Sequence, residues 1–383
     1  MKKLLFINGH LNTGGVEKSL LDILKHLDYD KYQVDLLLLE DLGDYISEVP
    51  ERVHIQLCCL KNTYGAVSDS LLRCIQNRDW FCFQMRLIFL LMKCFGQKKI
   101  KLARRLLTGN QQYDCVIGFR PGICTQIAAF AVNAKKRITW WHHGEINVAH
   151  NSYLEAANAC DQIAVVSEAC RVMLADTFPS LENKLTVVPN MLDIDAIRTK
   201  SDAFRPYTQG NIFHIATLCR LSPEKHIENA IFAAKKLKEA GIAYQWHMIG
   251  GGSIENDLRE MAESAGVADV FLFEGNQPNP YPYVKHADLF VHPSYVESYG
   301  IVVLEAMALG IPCVVTKSLG PCEFIEDGVN GILTEQSPES LAEKVLEILT
   351  NRDLYEHIRA NTHCPEQFSP SEVMNLIYKN IGD

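Results

Sequence analysis

Short apolar runs with the length of buried strands alternate with helical patterns along most of this 383-residue chain. One series of such runs ends before Pro189, and a second begins after Asn190. Strands that alternate with helices form parallel sheets, because parallel neighbours need a long crossover connection. The sequence therefore predicts an α/β protein with two doubly wound domains. The predicted strands are 4–7, 34–39, 53–57, 115–119, 138–141, 162–166 and 185–188, then 212–218, 244–249, 270–273, 289–292 and 312–316; the predicted helices include 17–27, 125–133, 193–200, 227–240, 254–265, 300–309 and 370–381.

The bulk composition narrows the class of protein. Hydrophobic residues make up 48% and charged residues 22% of the chain, as in a globular protein with two cores. The net charge of −9 argues against a general nucleic-acid-binding protein. Thirteen cysteines without a C-x-x-C pair indicate reduced thiols in a cytoplasmic protein. No apolar run approaches the length of a membrane span, and residues 1–7 predict a first strand rather than a signal peptide.

The segment 293–312 combines two carboxylates, a glycine turn and a helical pattern. Glu297 and Glu305 lie eight positions apart, and apolar residues recur at helical spacing from Ile301 onward. Gly300 is therefore predicted near the N-terminus of a helix, where unpaired N–H groups and the positive dipole end suit a phosphate. This segment predicts a nucleotide-sugar site, with phosphates at the helix end and carboxylates on the sugar and the ribose.

Two glutamates at this spacing alone would also fit a solvated surface helix, but the full string is more specific. It resembles the donor-site motif of the retaining GT-B enzymes called glycosyltransferase family 4, or glycosyl transferases group 1. Every position of that motif is matched between Glu297 and Pro312. The resemblance implies a GT-B fold, in which two Rossmann-like domains face a cleft, and a retaining, metal-independent hexosyltransferase. It implies that Glu297 is catalytic and contacts the sugar, and that the donor-binding residues of this segment are Ser298, Gly300, Ile301 and, on the ribose, Glu305.

Two cations follow the first strand of the second series. Arg220 and Lys225 leave this strand end together, and a guanidinium and an ammonium suit a diphosphate leaving group. They would neutralise the charge that develops on the departing oxygen. The family pattern here is Gly-Arg-Leu, three residues, then Lys-Gly, so the resemblance implies catalytic roles for both cations. Cys219 and His226 replace the two glycines of that pattern, and a plain surface pair is the alternative interpretation.

Adjacent histidines end a strand of the first series. His142 and His143 precede Gly144, and consecutive side chains on a strand point to opposite sides, so the two do not form a metal site. The resemblance favours His143 as the catalytic histidine over the reacting sugar, with His142 as the second choice. A neutral imidazole there would hydrogen-bond a donor hydroxyl. A structural histidine remains the alternative.

A glycine-rich turn connects the first strand to the first helix. The string 8–19 lacks the Lys-Ser/Thr of a Walker A loop and does not fit G-x-G-x-x-G, which argues against a P-loop protein and a dehydrogenase. It resembles the family's N-terminal Gly-Gly-x-Glu loop, in which Gly15 would approach the donor phosphates and Gly14 and Glu17 the acceptor. An ordinary strand-to-helix turn is the alternative.

Two further glycines follow strands of the second series. Gly251 lies between a strand and a helix and Gly275 ends the next strand, and the resemblance implies contacts of both with the nucleotide. Packing turns explain these glycines almost as well. Asp193-Ile194-Asp195 spells the D-x-D metal signature of another glycosyltransferase fold, but it precedes a predicted helix, where capping explains the acidic residues. We therefore predict no essential metal and no cofactor.

The stretch 81–95 is apolar and aromatic, and basic residues follow it. Such a stretch suits docking on an anionic membrane face. An insertion packed on the domain, with solvated charges, is an equal alternative. The basic residues are Lys93, Lys98, Lys99, Lys101, Arg104 and Arg105.

These patterns combine into one prediction. Residues 1–189 would form an N-terminal domain that binds the acceptor, and a C-terminal helix, 366–383, would cross back onto this domain. Residues 190–365 would form a second domain that binds a nucleotide-sugar, with UDP as the favoured nucleotide. The acceptor would be a lipid-linked saccharide in bacterial surface-polysaccharide synthesis, at the cytoplasmic face of the membrane. Two rival functions stay open. A GT-B nucleotide-sugar 2-epimerase would need no acceptor, and a sugar-nucleotide binding protein would show no turnover.

Overall fold

The computed structural model describes residues 1–12, 14–40, 43–58, 67–109, 111–144, 146, 153–208 and 210–382, without the side chains of 67–70. Thr13 of the predicted glycine-rich turn and Glu145, which follows Gly144, lie outside the described residues. The chain divides into two compact units. The first unit is Met1–Met191 with Pro370–Asp383, and the second is Leu192–Ser369.

The first unit contains a parallel sheet of seven strands in the order β3-β2-β1-β4-β5-β6-β7. Its strands are β1 Lys2–Asn8, β2 Tyr32–Leu38, β3 Val53–Leu57, β4 Gln112–Gly118, β5 Asn133–Trp141, β6 Gln162–Val165 and β7 Leu185–Val187. Its helices are α1 Gly15–His26, α2 Val67–Gln76, α3 Trp80–Phe95, α4 Arg104–Thr108, α5 Ile123–Gln126, α6 Tyr153–Asn158 and α7 Glu168–Thr177, together with the C-terminal helix, numbered α15, Pro370–Ile381.

The second unit contains a parallel sheet of six strands in the order β10-β9-β8-β11-β12-β13. Its strands are β8 Phe213–Leu218, β9 Tyr244–Ile249, β10 Phe271–Gly275, β11 Leu289–His292, β12 Cys313–Thr316 and β13 Ile332–Thr334. Its helices are α8 Ile194–Ser201, α9 Ile227–Glu239, α10 Glu255–Ser264, α11 Tyr281–Lys285, α12 Ile301–Ala308, α13 Pro338–Thr350 and α14 Arg352–Asn361. Two parallel sheets confirm the predicted α/β class.

The order of strands reverses once in each sheet. In the first unit the reversal falls between β1 and β4, and in the second it falls between β8 and β11. The loops at the carboxyl ends of such neighbouring strands run to opposite faces of the sheet and leave a crevice where ligands bind. These two strand pairs are therefore the places where a site is expected.

The helix predicted over 125–133 is only partly correct. Helix α5 covers Ile123–Gln126, the π-helical turn Ile127–Ala131 follows, and residue Asn133 already belongs to β5. Asn133 pairs with Gln112 of β4, so sheet pairing takes over where the helical pattern of apolar residues still continues. The three-residue strand β13 was not predicted, since three residues are too short for an alternating pattern.

The C-terminal helix α15 packs within the first unit. The ring of Tyr378 stacks on Tyr32 of β2 at 5.7 Å between centroids. The Tyr378 hydroxyl accepts a hydrogen bond of 3.0 Å from the backbone N–H of Asp28. Among the described helices, none is both long enough and apolar enough to cross a lipid bilayer.

Candidate functional site

The predicted catalytic residues of the second unit lie at its strand-order reversal. Arg220 follows β8, Lys225 lies at the end of the 3₁₀ turn Pro223–Lys225, and Glu297 follows β11. Strands β8 and β11 are direct neighbours in the sheet, so loops far apart in sequence start side by side. This is the position at which a doubly wound sheet binds ligands.

Glu297 is the centre of a buried charge cluster. The ammonium of Lys225 donates to Oε1 of Glu297, and the side chains of the two residues are 18% and 15% exposed. His292, the last residue of β11, is fully buried and places Nε2 3.0 Å from the same oxygen. Burial raises the pKa of Glu297, but the hydrogen bond from His292 and the charge of Lys225 outweigh it and lower the pKa to about 2. Glu297 is therefore ionised at neutral pH.

Sequence reasoning did not select His292. Because Nε2 faces a carboxylate, this nitrogen carries the proton and donates it. Its Nδ1 is buried and has no hydrogen-bond partner among the described residues. The only sequence feature that could have pointed to His292 is its position at the end of a predicted strand, just before Pro293.

Arg220 behaves differently from Lys225. Its side chain is exposed, and no described residue forms a hydrogen bond or an ion pair with its guanidinium. Arg220 can therefore bind an anionic ligand without breaking a hydrogen bond or ion pair within the protein. Lys225, by contrast, is already paired with Glu297.

The glycine loop after β9 packs directly on the segment that carries Arg220. A β-carbon on Gly250 would lie 2.0 Å from the carbonyl oxygen of Cys219, and one on Gly252 would lie 2.0 Å from that of Leu221. The carbonyl of Gly251 accepts a hydrogen bond of 3.0 Å from the N–H of Leu221. The predicted donor residue Gly251 thus lies between two glycines that permit the close approach of two backbone segments.

Replacing Gly252 by alanine is expected to destabilise the second unit by about 1–3 kcal/mol, because the new methyl group collides with a backbone carbonyl. Chemical denaturation of the parent and the variant measures this loss. Gly210→Ala is the matched control: its β-carbon meets nothing within 4 Å, and neither glycine has a left-handed backbone. Equal stability of the two variants would contradict the proposed close approach.

Gly275 ends β10 beside the same loop. Its φ is +70° and a β-carbon there would meet nothing within 4 Å, so the backbone conformation, not space, favours glycine. The carbonyl of Gly275 accepts a hydrogen bond of 2.9 Å from Gly250. The two predicted nucleotide contacts, Gly251 and Gly275, therefore lie on one connected backbone surface.

Helix α12 begins as predicted at the Ser298–Gly300 turn. Gly300 is its N-cap with φ +81°, and Ile301 is its first residue. A β-carbon on Gly300 would lie 2.9 Å from the ring of Pro321. No side chain caps this helix end, so its first N–H groups depend on solvent or a ligand. Ser298 and Ile301 are both half-buried.

Glu305 lies inside the second unit. Its side chain is 3% exposed and accepts a hydrogen bond of 3.1 Å from the hydroxyl of Tyr281. Tyr281 begins α11 and was not selected from the sequence. Glu305 is thus positioned by a neighbouring helix, and its contact with a ribose stays a prediction.

In the first unit, Glu17 forms an ion pair at the strand-order reversal, and its carboxylate is buried while the side chain of Arg120 is 33% exposed. Gly14 is the N-cap of α1, Gly15 is its first residue, and Glu17 is only 2% exposed. The guanidinium of Arg120, in the loop after β4, donates to Oε1 of Glu17, and Nδ1 of His10 lies 3.8 Å from that oxygen. Sequence reasoning missed Arg120 because nothing in its surroundings distinguishes it from a surface arginine.

The two adjacent histidines have opposite environments. His142 is buried, with its ring stacked on Trp140 at 6.0 Å and tilted against Phe119 at 4.8 Å. His143 is exposed, and its carbonyl accepts a hydrogen bond of 2.6 Å from the indole of Trp141. Of the two, only His143 presents its side chain to solvent, and a catalytic role of either histidine stays a prediction.

Acidification is expected to destabilise the first unit through His142. Burial, with the nearby charges of His143 and Arg120, lowers the pKa of His142 to about 3. The unfolded chain takes up a proton below its ordinary pKa of 6.5 while the folded chain does not, so stability falls as pH decreases from 6.5 towards 3, by about 1.4 kcal/mol per pH unit. Urea unfolding at pH 7 and pH 5 measures this loss. His142→Phe is the control: if the pH dependence is the same with and without His142, this assignment is wrong.

A metal-binding cluster is not evident in the described ranges. Within them, no group of three or more His, Cys, Asp or Glu side chains has an arrangement that could hold a metal ion. Asp193 of the D-x-D string is the N-cap of α8 and accepts a hydrogen bond of 2.9 Å from the N–H of Ala196. Capping accounts for this aspartate; independence from metal stays a prediction.

Two family models match the chain. Residues 13–196 match the model described as Glycosyltransferase Family 4. Residues 199–363 match the model described as Glycosyl transferases group 1. The two matches are adjacent, and the first carries Gly14, Glu17 and Arg120 while the second carries Arg220 and Glu297.

Curated relatives match over part of their length. A glycosyltransferase of Methanocaldococcus jannaschii, MJ1607, is 32% identical over 219 residues, which are 55% of this chain and 56% of the relative. A GDP-mannose-dependent alpha-(1-6)-phosphatidylinositol monomannoside mannosyltransferase of Mycobacterium tuberculosis is 27% identical over 220 residues, which are 54% of this chain and 57% of the relative. The chain thus spans about half the length of the curated relatives it matches.

Solved structures match over the whole chain and identify the fold. TarM of S. aureus, in a complex with UDP, has a TM-score of 0.73 at 14% identity and covers 100% of both chains. Anabaena Alr3699/HepE, in a complex with UDP and glucose, has a TM-score of 0.72 at 18% identity and the same coverage. These neighbours and the two parallel sheets establish a two-domain GT-B fold.

Proposed function

We propose that this chain transfers a sugar from a nucleotide-sugar to a hydroxyl group of an acceptor. Both family matches, the curated relatives and the GT-B fold support a glycosyltransferase. The observation that carries the proposal is the cluster at the ends of β8 and β11. There the exposed Arg220 lies on the same loop as Lys225, and Lys225 is paired with an ionised Glu297. Two cations, an open helix N-terminus and a carboxylate are the groups that a sugar diphosphate needs.

Each group of the second unit has a part in the proposed reaction. The bond between the anomeric carbon and the diphosphate breaks, and its electron pair leaves on the diphosphate oxygen. The acceptor hydroxyl oxygen forms the new bond to the anomeric carbon, and its proton passes to the departing diphosphate oxygen. Arg220 and Lys225 stabilise that negative charge. Glu297, with a pKa of about 2, stays a hydrogen-bond acceptor for sugar hydroxyls over the physiological range. The N-terminus of α12, Ser298 and Ile301 bind phosphate, and Glu305 binds the ribose.

The first unit supplies the other groups of the proposal. Gly15 is the proposed phosphate-binding residue of this unit, and Gly14 and Glu17 are its proposed acceptor-binding residues. His143, which is exposed, hydrogen-bonds the reacting sugar. We propose further that the anomeric configuration is retained and that no metal is needed.

UDP is the proposed nucleotide. Two solved structures with this fold contain UDP, which supports it, whereas the mannosyltransferase relative is named for GDP-mannose. A thermal-shift series with UDP, GDP and ADP and with their sugars tests the choice, because a ligand that binds only the folded state raises the melting temperature. A shift with UDP that Glu305→Ala abolishes is expected. A shift with another nucleotide would replace UDP, and no shift with any of them would contradict the nucleotide-sugar proposal.

The proposed acceptor is a lipid-linked saccharide at the cytoplasmic face of the membrane, and the region of α3 supports it. Residues 71–109 carry nine Lys or Arg and one Asp in a chain of net charge −9. Helix α3 buries Cys82, Met85 and Ile88 on one side. The opposite side is also apolar, since Leu87 is 43% and Leu90 is 39% exposed. A helix that is apolar on both sides needs a second apolar environment to cover its exposed side. The surrounding positive charge favours a membrane with anionic headgroups as that environment.

Replacing exposed groups of this region is expected to abolish sedimentation with anionic liposomes. The suitable variant is Lys93→Gln, Lys101→Gln and Arg105→Gln, since Lys98 pairs with Glu155 and Arg104 is half-buried. The matched control removes three charges from the second unit with Lys235→Gln, Lys236→Gln and Lys238→Gln. A loss of about 1 kcal/mol of membrane-binding free energy per removed charge is expected in the α3-region variant, and no loss is expected in the control variant. Equal binding of both variants would mean that the apolar face of α3 has another partner.

A further inference from the structure

His226, beside Lys225, has a backbone conformation that side chains seldom adopt. Its φ is +49° and its ψ is +46°, in the left-handed region, and Arg78 is the other non-glycine residue of the described ranges with a positive φ. Such a conformation costs free energy and persists where surrounding contacts demand it. The family pattern has glycine at this position, so the chain keeps the backbone of a glycine but carries an imidazole.

The imidazole of His226 has two partners. Its ring stacks on Tyr295, with centroids 3.8 Å apart and planes at 23°. Its Nδ1 lies 2.9 Å from Oε1 of Glu228. Tyr295 lies on the loop after β11, two residues before Glu297. The stack therefore connects the loop of Lys225 with the loop of Glu297.

Two further contacts reach the loop of Glu297, one from helix α9 and one from the loop of Lys225. The amide of Asn229, which is 4% exposed, donates a hydrogen bond of 2.9 Å to the hydroxyl of Tyr295. The hydroxyl of Ser294 donates a hydrogen bond of 3.3 Å to the carbonyl of Glu224. Lys225 is thus flanked on both sides along the chain by contacts to the segment Ser294–Tyr295, which directly precedes Glu297.

We propose that His226 is a positioning residue of the donor site, which holds Lys225 in register with Glu297 through its stack on Tyr295. A lysine side chain has four flexible bonds, so its ammonium reaches a fixed place only if the backbone beside it is fixed. The strained conformation at His226 is offset by the stack and directs the ring across the loop boundary. The role in the donor site rests on the function proposed above, but the contact itself does not.

The rate at which Lys225 is acylated tests the contact without a nucleotide. Lys225 is paired and only 18% exposed, so a small acylating reagent, followed by mass spectrometry, should modify it slowly. His226→Gly removes the ring and suits the left-handed backbone, so the fold is retained. We expect acylation of Lys225 to rise about five-fold, the factor that corresponds to the loss of about 1 kcal/mol. Glu297→Gln, which removes the partner directly, should raise it as well.

Two controls separate positioning from a general loosening. Arg78→Gly relieves the same kind of backbone conformation in the first unit and should leave the acylation of Lys225 unchanged. His226→Phe keeps an aromatic ring on Tyr295 and should restore slow acylation. An unchanged rate in His226→Gly would overturn the proposal, and so would fast acylation in His226→Phe with an unchanged melting temperature.

Nucleotide binding then tests the role in the site. If UDP raises the melting temperature of the parent protein, its Kd should increase about five-fold in His226→Gly. An unchanged Kd together with faster acylation would overturn the role in donor binding and leave the contact. If no nucleotide binds the parent protein, the proposed function fails, while the acylation rates still decide the contact between the two loops.

Discussion

Replacing Lys225 by alanine is expected to lower kcat for sugar transfer by about 10²–10³-fold, the loss typical for removal of one group that stabilises a developing anion. The diphosphate leaving group gains negative charge as its bond to the sugar breaks. Lys225 lies on the loop that would face this charge and is held in place by Glu297. Steady-state kinetics with the nucleotide-sugar that gives a thermal shift measure the effect, and KM should change less than kcat.

The control for this prediction is Lys238→Ala. Lys238 belongs to the same unit and also forms an ion pair, with Asp269, but it is 46% exposed on α9. Its removal changes the net charge equally and should leave kcat within about two-fold, since exposed pairs contribute little. A loss of activity of similar size in both variants would assign the effect to overall charge rather than to the position of Lys225.

Replacing Arg120 by alanine is expected to destabilise the first unit by about 3–5 kcal/mol, because the carboxylate of Glu17 is left buried without its partner. Glu17 is 2% exposed, and the remaining cation candidate nearby, His10, lies 3.8 Å away. A loss of this size corresponds to a decrease of roughly 10 °C in melting temperature for a unit of this size. Differential scanning calorimetry would measure it.

Two comparison variants test the cause. Adding Glu17→Gln to Arg120→Ala removes the unpaired charge and should restore part of the lost stability. Arg52→Ala removes an arginine from an ion pair with Asp30 that is exposed on both sides, 61% and 88%, and should cost about 0.5 kcal/mol or less. If Arg120→Ala is no more harmful than Arg52→Ala, the Glu17 pair does not have the energetic role proposed for it.

The sequence predicted several features of the second unit from local pattern alone. The strand Leu289–His292 and the helix of which Ile301 is the first residue were predicted closely, because a short apolar run indicates a buried strand and the apolar residues after Gly300 recur at helical spacing. The Ser298–Gly300 turn was predicted because serine and glycine are common turn residues and an apolar helical pattern follows them. By contrast, the helix over 125–133 was too long, as strand pairing at Asn133 overrode the helical period.

The partners of the candidate residues could not be predicted in this way. Lys225 and Glu297 were both selected, but their ion pair depends on β8 and β11 being neighbours. His292 was overlooked, since an isolated histidine at a strand end has many possible explanations. Arg120 was overlooked because its partner, Glu17, lies 103 residues away in the sequence.

The amino-acid sequence by itself determined the alternation of strands and helices, the α/β class and the placing of glycines and charged residues at strand ends. These properties are local, since each depends on a few consecutive side chains and their period. The tertiary structure alone decided which strand ends are adjacent, and with them the pairs Glu17–Arg120, Glu297–His292 and His226–Tyr295. The physical reason is that the order of strands in a sheet depends on how whole helices and strands pack, and packing joins residues that no short sequence pattern connects.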